Sequence, residues 1–329
     1  MRTNYHSNSR RSRQRRRLAG LLVGVALGLG ACASQPPAEV EEVGAGVTPG
    51  PDLRSLIRRW NDPLVQAVEP FQIFDNLYYV GIEWVAAYVL QTPAGLVLID
   101  SLYGKWVERM LDNMRRLGLD PADIRYVIVT HGHFDHAGGA AEISRRFGAT
   151  VVMTESDWAL ARQPAAIPDF AFDVPTAGQI ARDGDIIELG GTLIELFETP
   201  GHTEGVLTLR YPVYDGRREY RAMTLGGVGL NFAGVARTQS YLDSYDRLLN
   251  TLSVPVSASL PNHAAMGEVF QRAERLRTRS ASDPHPFVDG EGFRNALRGF
   301  IAAAEDKLEA EKNGTAADPL EALTSAISN

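Results

Sequence analysis

Thr130-His131-Gly132-His133-Phe134-Asp135-His136 packs three imidazoles and one carboxylate into six consecutive positions. The apolar run Tyr126-Val127-Ile128-Val129 precedes it and reads as a buried strand, so the cluster stands at a strand end. Side chains alternate along extended backbone. His131 and His133 therefore reach toward one side, while the loop beyond them turns Asp135 and His136 toward a neighbouring point. Neutral nitrogen and carboxylate oxygen at this density suit a transition metal, zinc above all, and the spacing suits two metal positions.

Working outward, the chain has seven histidines: His6, His131, His133, His136, His202, His263 and His285. His202 lies in Thr199-Pro200-Gly201-His202-Thr203, directly after the strand-like Thr192-Leu193-Ile194-Glu195-Leu196-Phe197. His263 comes after another short strand pattern, Val256 to Leu260, through Pro261-Asn262. Both stand where sheets carry metal ligands, and both are expected to complete the site. Asp100, again at a strand end, is expected to lie behind the ligands and fix their rings, with Thr130 and Asn262 as further candidates for that part. His285, between Pro284 and Pro286, reads as structural, and His6 falls in a segment expected to be removed.

His131-Gly132-His133-Phe134-Asp135-His136-Ala137-Gly138-Gly139, together with Thr199-Pro200-Gly201-His202-Thr203, resembles the metallo-β-lactamase superfamily. The segments Val80-Gly81, Leu90 to Ser101 and Asp123 to Val129 fit it as well, so the resemblance runs from about Phe71 to Phe300. It is strongest to the third subclass of zinc β-lactamases, whose metals are held by histidine and aspartate without thiolate; Cys32, the chain's one cysteine, lies far upstream. The resemblance implies two Zn2+ ions. His131, His133 and His202 would hold the first, Asp135, His136 and His263 the second, and Asp135 would also orient a metal-bound hydroxide. It further implies an αββα sandwich, two mixed sheets face to face with helices on both outer faces. Many hydrolases of the superfamily place a bridging aspartate between the last two histidines. Met223-Thr224-Leu225-Gly226-Gly227-Val228-Gly229-Leu230-Asn231 has none, which disfavours glyoxalase-type thioesterases. The same stretch lacks the serines that hold a β-lactam carboxylate in that subclass and offers Asn231 as the nearest polar side chain; glycines there would open the cleft floor, let a substrate approach the backbone or ease a turn.

The activity so implied is hydrolysis of a β-lactam or a similar cyclic amide or ester. The alternatives are a lactonase or another ester or thioester hydrolase of the same fold, and, from another class, a non-catalytic zinc-binding envelope lipoprotein.

The strand and helix patterns agree with two layers of sheet. Strands are expected from Phe71 to Asp100, at Tyr126–Val129 and Thr150–Met153, and then at Ile186–Leu189, Thr192–Phe197, Val206–Tyr211 and Tyr220–Leu225. Helices are expected over Lys105–Leu117, Ala140–Phe147, Tyr241–Leu252, Met266–Thr278 and Phe293–Glu311. The connection 163–179 holds three prolines with Phe170 and Phe172, too apolar for a solvated loop, and reads as a lid over substrate or a flap packed on the sandwich. Phe170, Phe172 and Asn231 are thus candidates to line the substrate pocket. Trp84 and Tyr88 are expected in core or rim packing.

Residues 1–17 carry seven arginines and no acid, and Leu18 to Gly30 is an apolar run too short to span a bilayer comfortably. Leu29-Gly30-Ala31-Cys32 resembles a lipoprotein cleavage site, with Cys32 the lipidated first residue. The expected organisation is a signal peptide over 1–31, a flexible tether over 32–59, the hydrolase domain over 60–312 and a disordered tail over 313–329. The expected location is the bacterial periplasm, with membrane attachment only through the lipid on Cys32 or, alternatively, as a soluble exported protein. Without the seven leader arginines, 26 basic residues face 40 acidic ones, a net charge of −14. So acidic a chain repels phosphate backbones, which excludes nucleic acid as partner and favours a small-molecule substrate.

Overall fold

Residues 53–165, 168–251, 255–280 and 282–316 are described by the computed structural model. The expected signal peptide, Cys32, most of the tether and the tail beyond 316 lie outside the described residues. Two short helices come first, α1 (Leu53–Trp60) and α2 (Pro63–Gln66). Helix α1 begins inside the stretch read as tether. Leu56 and Trp60, four residues apart on one helix face, are both buried at 2% exposure, so the packed fold starts earlier than residue 60.

Seven strands form the first sheet in chain order: β1 (Phe71–Phe74), β2 (Leu77–Tyr79), β3 (Tyr88–Thr92), β4 (Gly95–Ile99), β5 (Ile124–Ile128), β6 (Thr150–Thr154) and β7 (Gln179–Ala181). Pairing is antiparallel from β1 to β4 and parallel from β4 to β7. Parallel neighbours need crossovers. Helix α3 (Trp106–Arg116) links β4 to β5; α4 (Phe134–Ala137) and α5 (Ala140–Phe147) link β5 to β6; α6 (Glu155–Ala161) leads from β6 toward β7. The second sheet has the order β12-β11-β10-β9-β8, built from β8 (Ile186–Leu189), β9 (Thr192–Glu198), β10 (Leu207–Asp215), β11 (Arg218–Thr224) and β12 (Ala258–Ser259). Helices α7 (Val235–Thr251), α8 (Val269–Arg277) and α9 (Gly290–Lys312) complete the described chain.

The period-two alternation of the strands sorts their side chains into layers. Leu96, Leu98, Val127 and Val129 pack outward with Met110, Met114 and Ile143 of the crossover helices. Val97, Ile99, Ile128 and Val152 face inward against Leu196, Leu207, Leu209 and Tyr211 of the second sheet. Met223 and Leu225 pack with Tyr241, Tyr245, Leu248, Phe293 and Leu297, which puts α7 and α9 on the outer face of that sheet. At about 1.5–3 kcal/mol for each large apolar side chain fully buried, these layers hold the sandwich together. The αββα architecture is therefore as expected.

Strand β10 does not stop at Tyr211 before Pro212, as expected, but runs to Asp215. Its pairing with β9 ends at Arg210, and from there the edge opposite β11 meets the β1–β2 turn, where Asn76 bonds the Pro212 carbonyl and Tyr214 N–H and Asp75 N–H donates to the Tyr214 carbonyl. Pro212 thus falls where a missing N–H breaks no ladder.

The topology decides where the site lies. In a parallel sheet the loops after the strands' carboxyl ends gather at one edge. Asp100 comes after β4, the 130–136 loop after β5, and Thr154 closes β6; from the second sheet come the β9–β10 loop with His202, the segment after β11, and Asn262 and His263 after β12. Among the described residues no helix is long and apolar enough to cross a membrane.

Candidate metal centre

Six side chains separated by up to 132 positions converge into two groups. His131, His133 and His202 form one, Asp135, His136 and His263 the other, and within each group one ligand-competent atom per residue lies within 4.8 Å of the others. All the residues expected to bind metal are present. His131, Asp135, His136 and His202 are buried, while His133 and His263 are partly exposed and open the centre to solvent.

Hydrogen bonds fix which nitrogen of each ring faces the centre. His136 Nδ1 lies 2.7 Å from Asp100 Oδ2, His202 Nδ1 is 2.9 Å from the Gly229 carbonyl, and His263 Nδ1 is 3.0 Å from the Trp84 carbonyl. His131 Nδ1 sits 3.2 Å from Thr130 Oγ1. Each of these rings is held from behind, which leaves Nε2 free to point inward. There the nitrogens meet one another: His202 Nε2 is 3.1 Å from His133 Nδ1, His136 Nε2 is 3.3 Å from His263 Nε2, and His131 Nε2 is buried with no hydrogen-bond partner. The partnerless His131 Nε2, buried among rings that burial keeps neutral, is unfavourable unless a cation accepts its lone pair, while in the other group His136, held charged by its carboxylates, already places a proton between the ligands. The donor set fits metal, and its nitrogen-rich character with one carboxylate oxygen fits zinc.

Asp100 is the hub behind the ligands. Its backbone adopts a left-handed φ of 61°, and its carboxylate accepts from Thr130 N–H at 2.7 Å and Thr130 Oγ1 at 2.9 Å besides holding His136. Asn262 Nδ2 donates to the same threonine hydroxyl at 3.1 Å. The three expected supporting residues therefore form one buried network. Charge follows geometry here. Burial opposes ionisation of Asp135, but His136, His263 and His133 outweigh it and hold its carboxyl well below the usual range. Burial likewise works against a charged His136, yet Asp135 and Asp100 raise it to about 10. Burial and the neighbouring rings keep His131 and His202 well below the ordinary imidazole value.

The expected pocket residues are placed less simply. Phe170 is buried, its ring stacked on Phe134 at 4.2 Å and packed edge-on to Tyr103, so it supports the metal loop from behind rather than lining an open pocket. Phe172 is partly buried against the same core. The 163–179 connection is thus a packed flap at these positions. Tyr88 is core, its hydroxyl donating to the Pro261 carbonyl, while half-buried Trp84 stacks on Trp60 and reaches within 5.5 Å of the His263 ring. Asn231 is partly exposed and folds over Gly229. The glycines serve close approach of the backbone to His202: Gly227 has a φ of 57°, and a Cβ there would sit 2.8 Å from His202 Cβ. His285 is buried, bonded to the Ile73 carbonyl and stacked on Phe74, a structural position. Arg237, which sequence reasoning passed over, donates to the carbonyls of Gly201 and His202 from the first turn of α7.

An αββα sandwich carrying histidine and aspartate groups able to bind metal at its loop edge defines a metallo-hydrolase fold. Residues 84–215 match the family model of the metallo-beta-lactamase superfamily. Among solved structures it is similar to BJP-1, a subclass B3 metallo-beta-lactamase of Bradyrhizobium japonicum, with a TM-score of 0.69, 25% identity, and coverage of 78% of this chain and 98% of that one. An uncharacterized protein of Mycobacterium tuberculosis is 33% identical over 137 residues, 37% of this chain and 58% of that protein. A hydroxyacylglutathione hydrolase of Bradyrhizobium sp. is 29% identical over 143 residues, 43% of this chain and 49% of that enzyme. The matches span roughly half the length of these curated relatives.

Proposed function

We propose that the chain is a dizinc hydrolase that opens a β-lactam or a similarly strained cyclic amide or ester. The observation that carries this reading is the set of inward-facing nitrogens, fixed from behind, in two adjoining groups that share the 131–136 loop. His131, His133 and His202 would hold one ion, and Asp135, His136 and His263 the other. Zinc, when bound, supplies Lewis acidity that brings the pKa of water toward about 7 and polarises a carbonyl. Asp135 stays anionic across working pH because its carboxyl lies far below that range, so it orients the proton of an attacking water and does not remove it. Asp100, through Thr130 and His136, keeps the rings in one tautomer and one orientation. Trp84, beside His263, offers an apolar surface to the substrate.

The β-lactam reading is supported by the thiolate-free donor set and by likeness to a subclass B3 enzyme. Likeness to hydroxyacylglutathione hydrolases supports a thioesterase as the second reading, against which stands the absence of an aspartate in 223–231. Zinc-loaded protein assayed with a carbapenem, an acyl lactone and an S-acylglutathione separates them. Carbapenem turnover lost on chelation and restored by zinc is the expected result; turnover of the thioester alone would replace the first reading by the second.

Export and lipid anchoring at Cys32 belong to the same proposal, supported by the arginine-rich start, the short apolar run and the Leu29-Gly30-Ala31-Cys32 sequence. Metabolic labelling with an alkyne fatty acid is expected to mark the wild type and not Cys32→Ser.

A further inference from the structure

Strand β6 ends at the same edge as the metal loops, and helix α6 directly after it takes no part in either ligand group. Thr154 caps α6, and Asp157 in its first turn is buried at 1% exposure. Burial of that carboxylate is unfavourable, and its Oδ1 makes no hydrogen bond. Its contacts are specific. Asp157 Oδ2 accepts from Thr203 Oγ1 at 2.9 Å, and Thr203 is the residue next to His202. From the other loop Gly132, between His131 and His133, lies so close that an added Cβ would stand 2.5 Å from the Asp157 carbonyl oxygen. Thr154 Oγ1 donates to the Gly205 carbonyl at 2.7 Å, and a Cβ on Gly205 would fall 1.9 Å from that hydroxyl. The first turn of α6 therefore touches both loops that present His131, His133 and His202. The other ligand group has its own brace in Asp100, which bonds His136 and Thr130.

We propose that Asp157 is a positioning residue that ties the 131–133 loop to the 202–205 loop and thereby sets the metal affinity of the His131/His133/His202 group, without touching the metal. Asp100 holds His136 of the other group directly and reaches His131 only through the Thr130 hydroxyl. This division of labour rests on the metal-centre reading above. Loop register is what a triad drawn from two sheets needs, since a ring displaced by a fraction of an ångström loses its bond.

The test uses backgrounds that keep one group each: His263→Ala retains the first and His133→Ala the second. Zinc affinity is read by competition with a chromogenic chelator. Adding Asp157→Ala is expected to weaken binding about 10–100-fold in the His263→Ala background and less than about 3-fold in the His133→Ala background. Thr203→Val, which removes only the hydroxyl donor, acts in the same direction, and Thr203→Ser restores affinity; this pair carries the comparison if Asp157→Ala does not fold. Equal losses in both backgrounds, or none in the first, overturn the proposal while wild-type zinc binding leaves the metal-centre reading standing. A wild-type chain that binds no zinc overturns both.

Discussion

At the scale of single residues, the two ligand groups differ in what they hold before metal arrives. His136 lies between Asp100, 2.7 Å from its Nδ1, and Asp135, 3.1 Å from its Nε2, and these carboxylates outweigh burial to keep the ring protonated at neutral pH. A proton stands where a cation would bind. His131 and His202 are neutral because burial and neighbouring rings push them down. Zinc entering the Asp135/His136/His263 group must therefore displace about one proton, and zinc entering the other group close to none. Calorimetry at pH 7.5 in buffers of different ionisation enthalpy, with His133→Ala isolating the second group and His263→Ala the first, is expected to show that difference; equal proton release would contradict it. The affinity of the second group should also fall roughly tenfold per unit as pH drops from 9 to 6. Asp157 gives a second prediction. Burial raises its pKa from 3.8 to about 6, although the Thr203 hydroxyl donates to its Oδ2. The folded chain then binds the proton more tightly than the unfolded one, so stability falls as pH rises through about 4 to 6 and stays lower above. About two pKa units correspond to a penalty on the order of 3 kcal/mol. In chelated protein Asp157→Asn is expected to raise Tm at pH 8 and to leave it nearly unchanged at pH 4; a gain of equal size at both pH values would rule out the charge as cause.

Elements show why some parts of this fold were legible in the sequence and others were not. The apolar alternation in Tyr126–Val129 and Thr192–Phe197 had one physical reading, a strand in a packed sheet, and the strands lie there. Pro212 had two readings, since proline ends a strand in mid-sheet and is harmless along an edge. Which applied depended on where β9 stops pairing, a property of the partner strand. Helix α6 was missed although Thr154-Glu155-Ser156-Asp157 carries a capping threonine and two acids in the first turn. That signal was available, and so was the position of Asp157 just past a strand end. The 163–179 connection was ambiguous between lid and flap because apolar residues suit both. Phe170 resolves it through contacts with Trp60, Tyr103 and Phe134, residues from three distant segments. Phe170→Ala is accordingly expected to cost about 3–5 kcal/mol where the flap is docked and to expose it to proteolysis between 163 and 179. Zinc content should stay close to that of the wild type, because no described residue of the flap hydrogen-bonds a ligand ring; an unaltered cleavage pattern would show that the flap is held elsewhere.

For the whole molecule, the metal centre is a seam. The first sheet contributes Asp100, His131, His133, Asp135 and His136 through loops after β4 and β5, and the second contributes His202, Asn262 and His263 through loops after β9 and β12. Sequence could identify these residues because each stands at a strand end in a chain with few histidines. It could not show that the Gly229 and Trp84 carbonyls hold two of the rings, since any residue offers a carbonyl. Three apolar layers already join the sheets and helices, so the sandwich does not need metal to fold. Metal nevertheless binds only the folded arrangement, in which ligands from both sheets coincide, and so must add to stability by linkage. With free zinc a hundredfold above each dissociation constant, each position contributes about 2.7 kcal/mol, or about 5 kcal/mol for two. For a domain of this size that corresponds to a Tm lower by roughly 10–20 °C after chelation. Far-UV circular dichroism at 25 °C is expected to stay the same on chelation, because the core persists. The double variant His133→Ala/His263→Ala, with one ligand removed from each group, should melt near the chelated wild type and respond little to added zinc. A chelated wild type that melts with the zinc-loaded protein would mean that the two sheets meet without any help from the cations; one that loses its secondary structure would mean that the apolar layers are insufficient by themselves.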